Sequence, residues 1–386
     1  MKLKILLYTV IFTLLATACV SEFKAKLPSN GDQLLVVDGT IIEDTTVTFN
    51  LSKSFSMDSP TVPTDIFDVD ANVTIIGSNG YESAPATNLG KGAYSINVGD
   101  LDDSVEYGIR IEYDGNIYQS TLSKPISTPE IDSVSWTQSA KDGAVSFRIS
   151  THDNMEGAKF FLWNYTENWE ITAYYEVSTL YDPVSDGFYY AGPAPYYYCW
   201  KSNMPHEFII GTTESLRENS IINKEIYNCP PGDDRFSYLY CVTVNQRAIS
   251  KAAFDYYQNK IVLNNEMGGL FTPQPSELGG NITCVTDPSK KVMGYVETVK
   301  NTVQERIFIY PNQVMHPGNI SLCTTITTDS VLSMTGSYSR AYLSGFRLID
   351  QDPAGNPADW STVNCTECTA NGGSKSKPDF WPNNDQ

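Results

Sequence analysis

The chain has 386 residues, with 26 basic against 45 acidic side chains, a net charge of −19 and 12% aromatics. Such acidity opposes binding to nucleic-acid phosphates and to anionic lipid headgroups, so nucleic acid is excluded as a partner. The aromatic content and recurrent apolar runs exclude a disordered chain, and the length predicts two domains.

The N-terminus reads as a secretion signal. Lys2 and Lys4 form a positive start, and the apolar run from Ile5 to Ala16 is too short for a bilayer, which takes about 20 residues. It ends in Leu15-Ala16-Thr17-Ala18-Cys19, small residues before a cysteine whose thiol can take a diacylglycerol group. This resembles the lipobox of bacterial lipoproteins, so residues 1–18 are expected to be removed and Cys19 to carry lipid. Each buried methylene contributes about 0.8 kcal/mol, so two or three acyl chains anchor stably. Residues 19–32, with Pro28, Ser29, Asn30 and Gly31, read as a tether. Val20 after the cysteine favours the outer membrane, and Ser21-Glu22 weakly resembles a surface-export tag, so an outer-membrane, surface-exposed body is the expectation. Removing residues 1–18 takes two lysines and no acids, leaving a net charge of −21.

Residues 33–128 read as short strands between turns. Leu34 to Ile41, Val47 to Leu51, Val73 to Ile75, Tyr94 to Val98 and Tyr107 to Tyr113 are β-branched or alternating, and Asp114-Gly115 leads into Ile117-Tyr118. The spacing predicts an immunoglobulin- or fibronectin-like β-sandwich. Leu101 followed six residues later by Tyr107 resembles the tyrosine corner of such domains. Pro125 and Pro129 bracket a linker, after which residues 129–386 read as a larger β-rich domain with few short helices. Its strands are expected at Ile131 to Trp136, Ala144 to Ser150, Lys159 to Tyr165, Trp169 to Val177, Cys241 to Val244, Val292 to Val299 and Arg306 to Tyr310. One helix is expected from an N-cap at Ser250 to Asn264 or to the Gly268-Gly269 pair, with Ile249 and Phe254 as its hydrophobic staple.

Seven cysteines follow Cys19: Cys199, Cys229, Cys241, Cys284, Cys323, Cys365 and Cys368. In an exported chain disulfides come before metal sites, and the odd count leaves a thiol over. Cys365-Thr366-Glu367-Cys368 lies in a Thr/Asn/Gly-rich stretch and not at the start of a βαβ helix, which disfavours a redox motif. A four-cysteine zinc site lacks a second close pair. A bridge between Cys365 and Cys368 is the expectation, closing a small loop that lets Phe380 and Trp381 pack back.

No catalytic constellation stands out. His152, His206 and His316 lack helical partners, and nucleophile-elbow, zinc-protease and phosphate-loop sequences are absent. Forty-five carboxylates form close pairs by chance, and nothing marks one pair. The expectation is a protein that is not an enzyme and needs no cofactor or metal. Phe188, Tyr189, Tyr190, Tyr196, Tyr197, Tyr198 and Trp200 flank a Gly-Pro-Ala-Pro centre. They read either as a projecting surface for a glycan or peptide, or as a hairpin packed on its own domain.

These landmarks, in order, resemble the Bacteroidota lipoprotein family known as domain of unknown function 4249. The matching pieces are Leu35-Val36-Val37-Asp38-Gly39, then Trp163, Tyr165, Glu167 and Trp169-Glu170, then Val244, Gln246 and Ile249-Ser250. Further pieces are Pro273, Pro275, Gly280-Asn281-Ile282, Gly294-Tyr295, Cys365 with Cys368, Gly372-Gly373, Pro378 and Phe380-Trp381. Cys229, Cys241 and Cys284 depart from the pattern. The resemblance implies a neighbouring TonB-dependent outer-membrane receptor of the SusC type, hence an accessory, non-catalytic role in ligand capture or assembly beside that β-barrel. A free-standing glycan- or peptide-binding surface protein and a polysaccharide-degrading enzyme are the alternatives. Asp-Ser/Thr-x sequences resembling an O-glycosylation signal of this phylum mark Thr45, Ser104, Ser133 and Ser330.

Overall fold

The computed structural model describes residues 33–55, 63–154, 157–266, 280–315 and 323–382. The expected signal, Cys19 and the tether lie outside these residues, as do Pro273, Pro275 and His316.

The protein is mainly β. In the first sandwich, β1 (Leu35–Asp38), β3 (Thr46–Lys53), β6 (Ala93–Asn97) and β5 (Thr87–Gly90) pair in that order. Facing them, β4 (Ala71–Gly77), β7 (Tyr107–Tyr113) and β8 (Asn116–Ser120) form the second sheet. Four strands in the order A-B-E-D over three in the order C-F-G is the constant-type immunoglobulin arrangement. Alternation places Val47, Phe49 and Leu51 of β3 inside, against Ile109 and Ile111 of β7. The tyrosine corner is present: the Asp102 amide donates to the Tyr107 hydroxyl at 2.9 Å, with Leu101 buried beside it.

One edge of each sheet of this sandwich is extended from far along the chain. β19 (Val292–Tyr295) runs parallel to β1, and β18 (Ile282–Cys284) antiparallel to β8. A short pair, β2 (Ile41–Ile42) with β20 (Thr298–Val299), lies alongside. Residues 280–299 therefore belong structurally with 33–128, a correction to assigning all of 129–386 to the second domain. Unpaired edge amides and carbonyls on β1 and β8 give the physical reason: covering them satisfies hydrogen bonds that a seven-strand unit leaves open.

In the second sandwich, β9 (Ile131–Gln138), β10 (Val145–His152) and β16 (Ser220–Cys229) form one sheet. The other contains β11 (Phe160–Thr172), β17 (Tyr240–Ile249) and β21 (Val303–Ile309). Along the outer edge of β11 run β14 (Tyr198–Asn203) and β15 (Ile209–Thr212). The two strands expected on either side of Thr166 are one 13-residue strand, β11. Its odd residues Phe161, Trp163 and Tyr165 fill the interior, while Phe160 and Leu162 face outward.

Helix α1 (Lys251–Glu266) covers that outward face. Ser250 Oγ accepts from the Ala253 amide at 3.1 Å, and Ile249 and Phe254 pack in the same cluster, as capping and staple require. Ala253, Tyr256 and Tyr257 meet Phe160 and Leu162 on one side and Tyr295 of the first sandwich on the other. The chain thus leaves the second sandwich after β17, crosses to the first, and returns as β21. Arg247, hydrogen-bonded to Thr40, ties the two together.

A third unit was not anticipated. β22 (Ile326–Thr327), β24 (Pro357–Thr362) and β23 (Phe346–Gln351) form a small sheet with α2 (Thr328–Thr335), α3 (Tyr338–Leu343) and α4 (Val363–Thr366). Val331, Ala341, Leu348 and Trp360 are its core. The hairpin of β12 (Thr179–Asp182) and β13 (Gly187–Tyr190), inserted between β11 and β14, lends it Phe188.

Candidate functional site

Two disulfides fasten the C-terminal lobe. Cys199 on β14 bonds Cys368, and Cys323 bonds Cys365. Both expected cysteines are oxidised, but not to each other. Glu367 between them is extended (φ −131°, ψ 111°) and separates α4 from the helical turn that begins at Cys368. The two thiols therefore leave the backbone toward different neighbours, and Arg347 fixes the intervening Glu367 by an ion pair. Gly373 is needed for close approach: a Cβ there would lie 2.5 Å from Cys199 Cβ. The chain then pairs Ser374 with Trp200 and returns Trp381 into the outer face of the second sandwich, as expected. The Trp381 indole donates to Glu170 Oε1 at 2.9 Å.

Inside the second sandwich lies a buried polar knot. Glu167 accepts from Arg235 Nη1 and the Tyr240 hydroxyl, both at 2.6 Å, and from Asn203 at 2.8 Å. Arg235 also reaches Asp233 and the Tyr227 hydroxyl, and sits 5.9 Å from the Trp169 ring. Burial, then the Glu167 charge, pushes the Tyr240 hydroxyl well above its ordinary range. Burial would raise Asp233, but its bonds to Arg235 outweigh this and hold the carboxyl low. Burial pushes the adjacent Cys229 thiol up to about 12, so it is an inert thiol.

Beyond this knot β11 and β14 extend into a groove of about 520 Å³ against the C-terminal lobe. Trp169, Ile171 and Lys201 come from these strands, and Arg235, Ser237 and Tyr238 from the segment before β17. Tyr174 and the Cys323–Cys365 bridge, with Asn364 and Asn371, supply the rest. Thr172 Oγ1 donates to the Tyr238 hydroxyl at 2.6 Å, and Tyr174 is 41% exposed. The volume is that of a small-ligand site, in the range of about 300–1,000 Å³. Arg235 is neutralised by Glu167 and Asp233, which leaves Lys201 and the exposed Asp234 as balancing charges on the rim.

The aromatic segment divides between the two readings. Phe188 is half-buried and packs against the core of the lobe, its ring 5.3 Å from that of Tyr338 and 5.9 Å from that of Trp360. Trp200 packs with Trp381, whereas Tyr189, Tyr190, Tyr196 and Tyr198 are exposed. Tyr197 is half-buried beside Thr172. Sequence reasoning missed Tyr174, Tyr238, Asn364 and Asn371 as neighbours, because only the disulfides and the chain return bring them together.

A larger cavity of about 750 Å³ lies at the seam between the sandwiches, lined by Pro125, Thr128, Glu130 and His152. His152 has both ring nitrogens engaged, Nδ1 with Asp132 at 2.6 Å and Nε2 with Asn154 at 3.0 Å. His206 is exposed. Among the described residues no cluster of three His, Cys, Asp or Glu could hold a metal, and no helix is long and apolar enough to cross a membrane. Thr45, Ser104, Ser133 and Ser330 are all exposed.

Fold and site together define a tandem β-sandwich protein with a disulfide-fastened C-terminal lobe. The chain belongs to the family described as Domain of unknown function (DUF4249), whose model matches residues 20–305. No curated protein matches it. Among solved structures, a two-fibronectin type-III segment of chicken tenascin is similar at 10% identity and a TM-score of 0.15, covering 55% of this chain and 90% of that one.

Proposed function

We propose that this protein is a non-catalytic lipoprotein, anchored through Cys19, that captures ligand beside an outer-membrane TonB-dependent receptor of the SusC type. The observation that carries the reading is the preformed groove braced by a disulfide and opening between two units. Its lining combines the aromatic rings of Trp169, Tyr174 and Tyr238 and the amides of Asn364 and Asn371 with apolar, hydroxyl and charged side chains, the mixed composition of a binding pocket. The buried carboxylate behind it, Glu167, is committed to Arg235, Tyr240 and Asn203 and is not poised for acid–base work. A lipid anchor confines the body to the membrane plane, which raises its effective concentration near a barrel, so a modest interface suffices. Detergent extraction and affinity purification of tagged protein should recover a large β-barrel in near-equal amount. Recovery of the lipoprotein alone in mild detergent, with uptake unchanged on its deletion, would favour a free-standing surface binder.

A further inference from the structure

From the groove's chemistry we infer that it holds a neutral sugar unit of a glycan chain, an inference that rests on the capture role above and names its ligand class. Three features select this class.

The first is the wall. Trp169, Tyr238 and the exposed Tyr174 line the groove, and aromatic faces pack well on the C–H faces of a pyranose ring while phenol hydroxyls bond its edges. Asn364 adds an exposed amide, which both donates and accepts, as a polyol requires, and Asn371, whose Nδ2 already donates to the Asn364 carbonyl at 2.8 Å, adds a second amide with its oxygen and one N–H left over.

The second is charge. Arg235 is paired with Glu167 and Asp233, and the lining carries one further cation, Lys201, and one further anion, Asp234. On a chain of net charge −19 this leaves no field to draw in an anion, so an acidic ligand is disfavoured.

The third is the backbone. An extended peptide binds best by adding a strand to a free edge. Here the outer edge of β14 is already taken: Trp200 and Ser374 exchange amide–carbonyl bonds at 2.9 and 2.8 Å, and Lys375 Nζ donates to the Tyr198 carbonyl at 2.9 Å. Recognition in this groove must come from side chains, which suits a sugar better than a strand.

The test is native affinity electrophoresis of the full-length detergent-solubilised lipoprotein in gels containing soluble α-glucan, mixed-linkage β-glucan, xylan or mannan, with polygalacturonate as the acidic comparison. At least one neutral polymer should retard the protein. Tyr174→Ala should weaken that retardation by about tenfold or more. Asn364→Ala, at an exposed position, repeats the test with little risk to folding, and near-UV circular dichroism checks both variants. Retardation by none of the neutral polymers, retardation by polygalacturonate alone, or retardation unchanged in both variants would overturn the assignment. A barrel that co-purifies without glycan binding would sink this inference alone. Glycan binding without a barrel would sink the receptor-subunit reading and leave the groove's ligand standing.

Discussion

Arg235 Nη1 lies 2.6 Å from Oε1 of Glu167, whose side chain has no solvent exposure. A carboxylate so placed depends on its partner, because removing one member of a buried pair leaves an uncompensated charge. Arg235→Met should therefore destabilise the protein by about 3–5 kcal/mol, read as a lowered urea midpoint. A loss below 1 kcal/mol would mean that Tyr240 and Asn203 alone carry Glu167.

The disulfide pairing can be read directly. Non-reducing peptide maps should show Cys199 joined to Cys368 and Cys323 to Cys365, and breaking either should cost about 2–5 kcal/mol. Cys229, Cys241 and Cys284 are buried, with burial pushing the Cys229 and Cys241 thiols up to about 12 and about 11. They should label only after denaturation. A peptide containing a Cys365–Cys368 loop would contradict the fold of the C-terminal lobe.

Glu297 gives the stability a pH signature. It is buried where the sandwiches meet, and Oε1 accepts the Ser250 amide at 2.7 Å; burial raises its folded pKa above the ordinary 4.5. The folded state then holds the proton more tightly than the unfolded chain, so this contribution is fully present below about 4.5 and is lost as pH rises through the folded value. Glu297→Gln keeps the acceptor and removes the titration. The variant should gain on the wild type as pH rises from 4 to 7, in paired denaturation curves. A constant difference across that range would remove Glu297 from the pH response.

Much of the framework was legible because its signals are local. Alternation in Thr46–Lys53 and Tyr107–Tyr113, the Leu101–Tyr107 corner and the Ser250 cap each fall within a few residues. The family landmarks were visible as residues but not as contacts. Gln246 turns out to accept the Trp163 indole at 2.8 Å while donating to the Pro129 carbonyl at 2.8 Å. Asn281 grips both backbone groups of Val296, at 2.7 and 2.9 Å. Such partners lie up to 117 residues apart, and no periodicity encodes them. The Cys365–Cys368 expectation failed for the same reason: proximity in sequence suggested a loop, and the extended Glu367 between two helical turns prevents it. The groove was hidden because its walls come from β11, β14, the segment before β17 and the lobe.

The returning segment 280–299 makes the last prediction. Gly294 has φ +134°, and a Cβ on it would lie 2.1 Å from the Val37 carbonyl oxygen of β1. That oxygen is backbone and cannot swing aside, so Gly294→Ala must push β19 off β1 or force a rare backbone conformation. Either outcome exposes the edge of the first sandwich and loosens Tyr295 from Tyr256 of α1, 5.3 Å away. The variant should therefore lose about 2 kcal/mol or more, beyond the usual effect of a surface substitution. Its amide exchange should rise in β1 and α1 together, although they are more than 200 residues apart in sequence. By the same logic residues 33–128 expressed alone should populate aggregates, since β1 and β8 would then present bare edges. A monomeric, cooperatively melting 33–128 fragment would show that the first sandwich is complete without its borrowed strands.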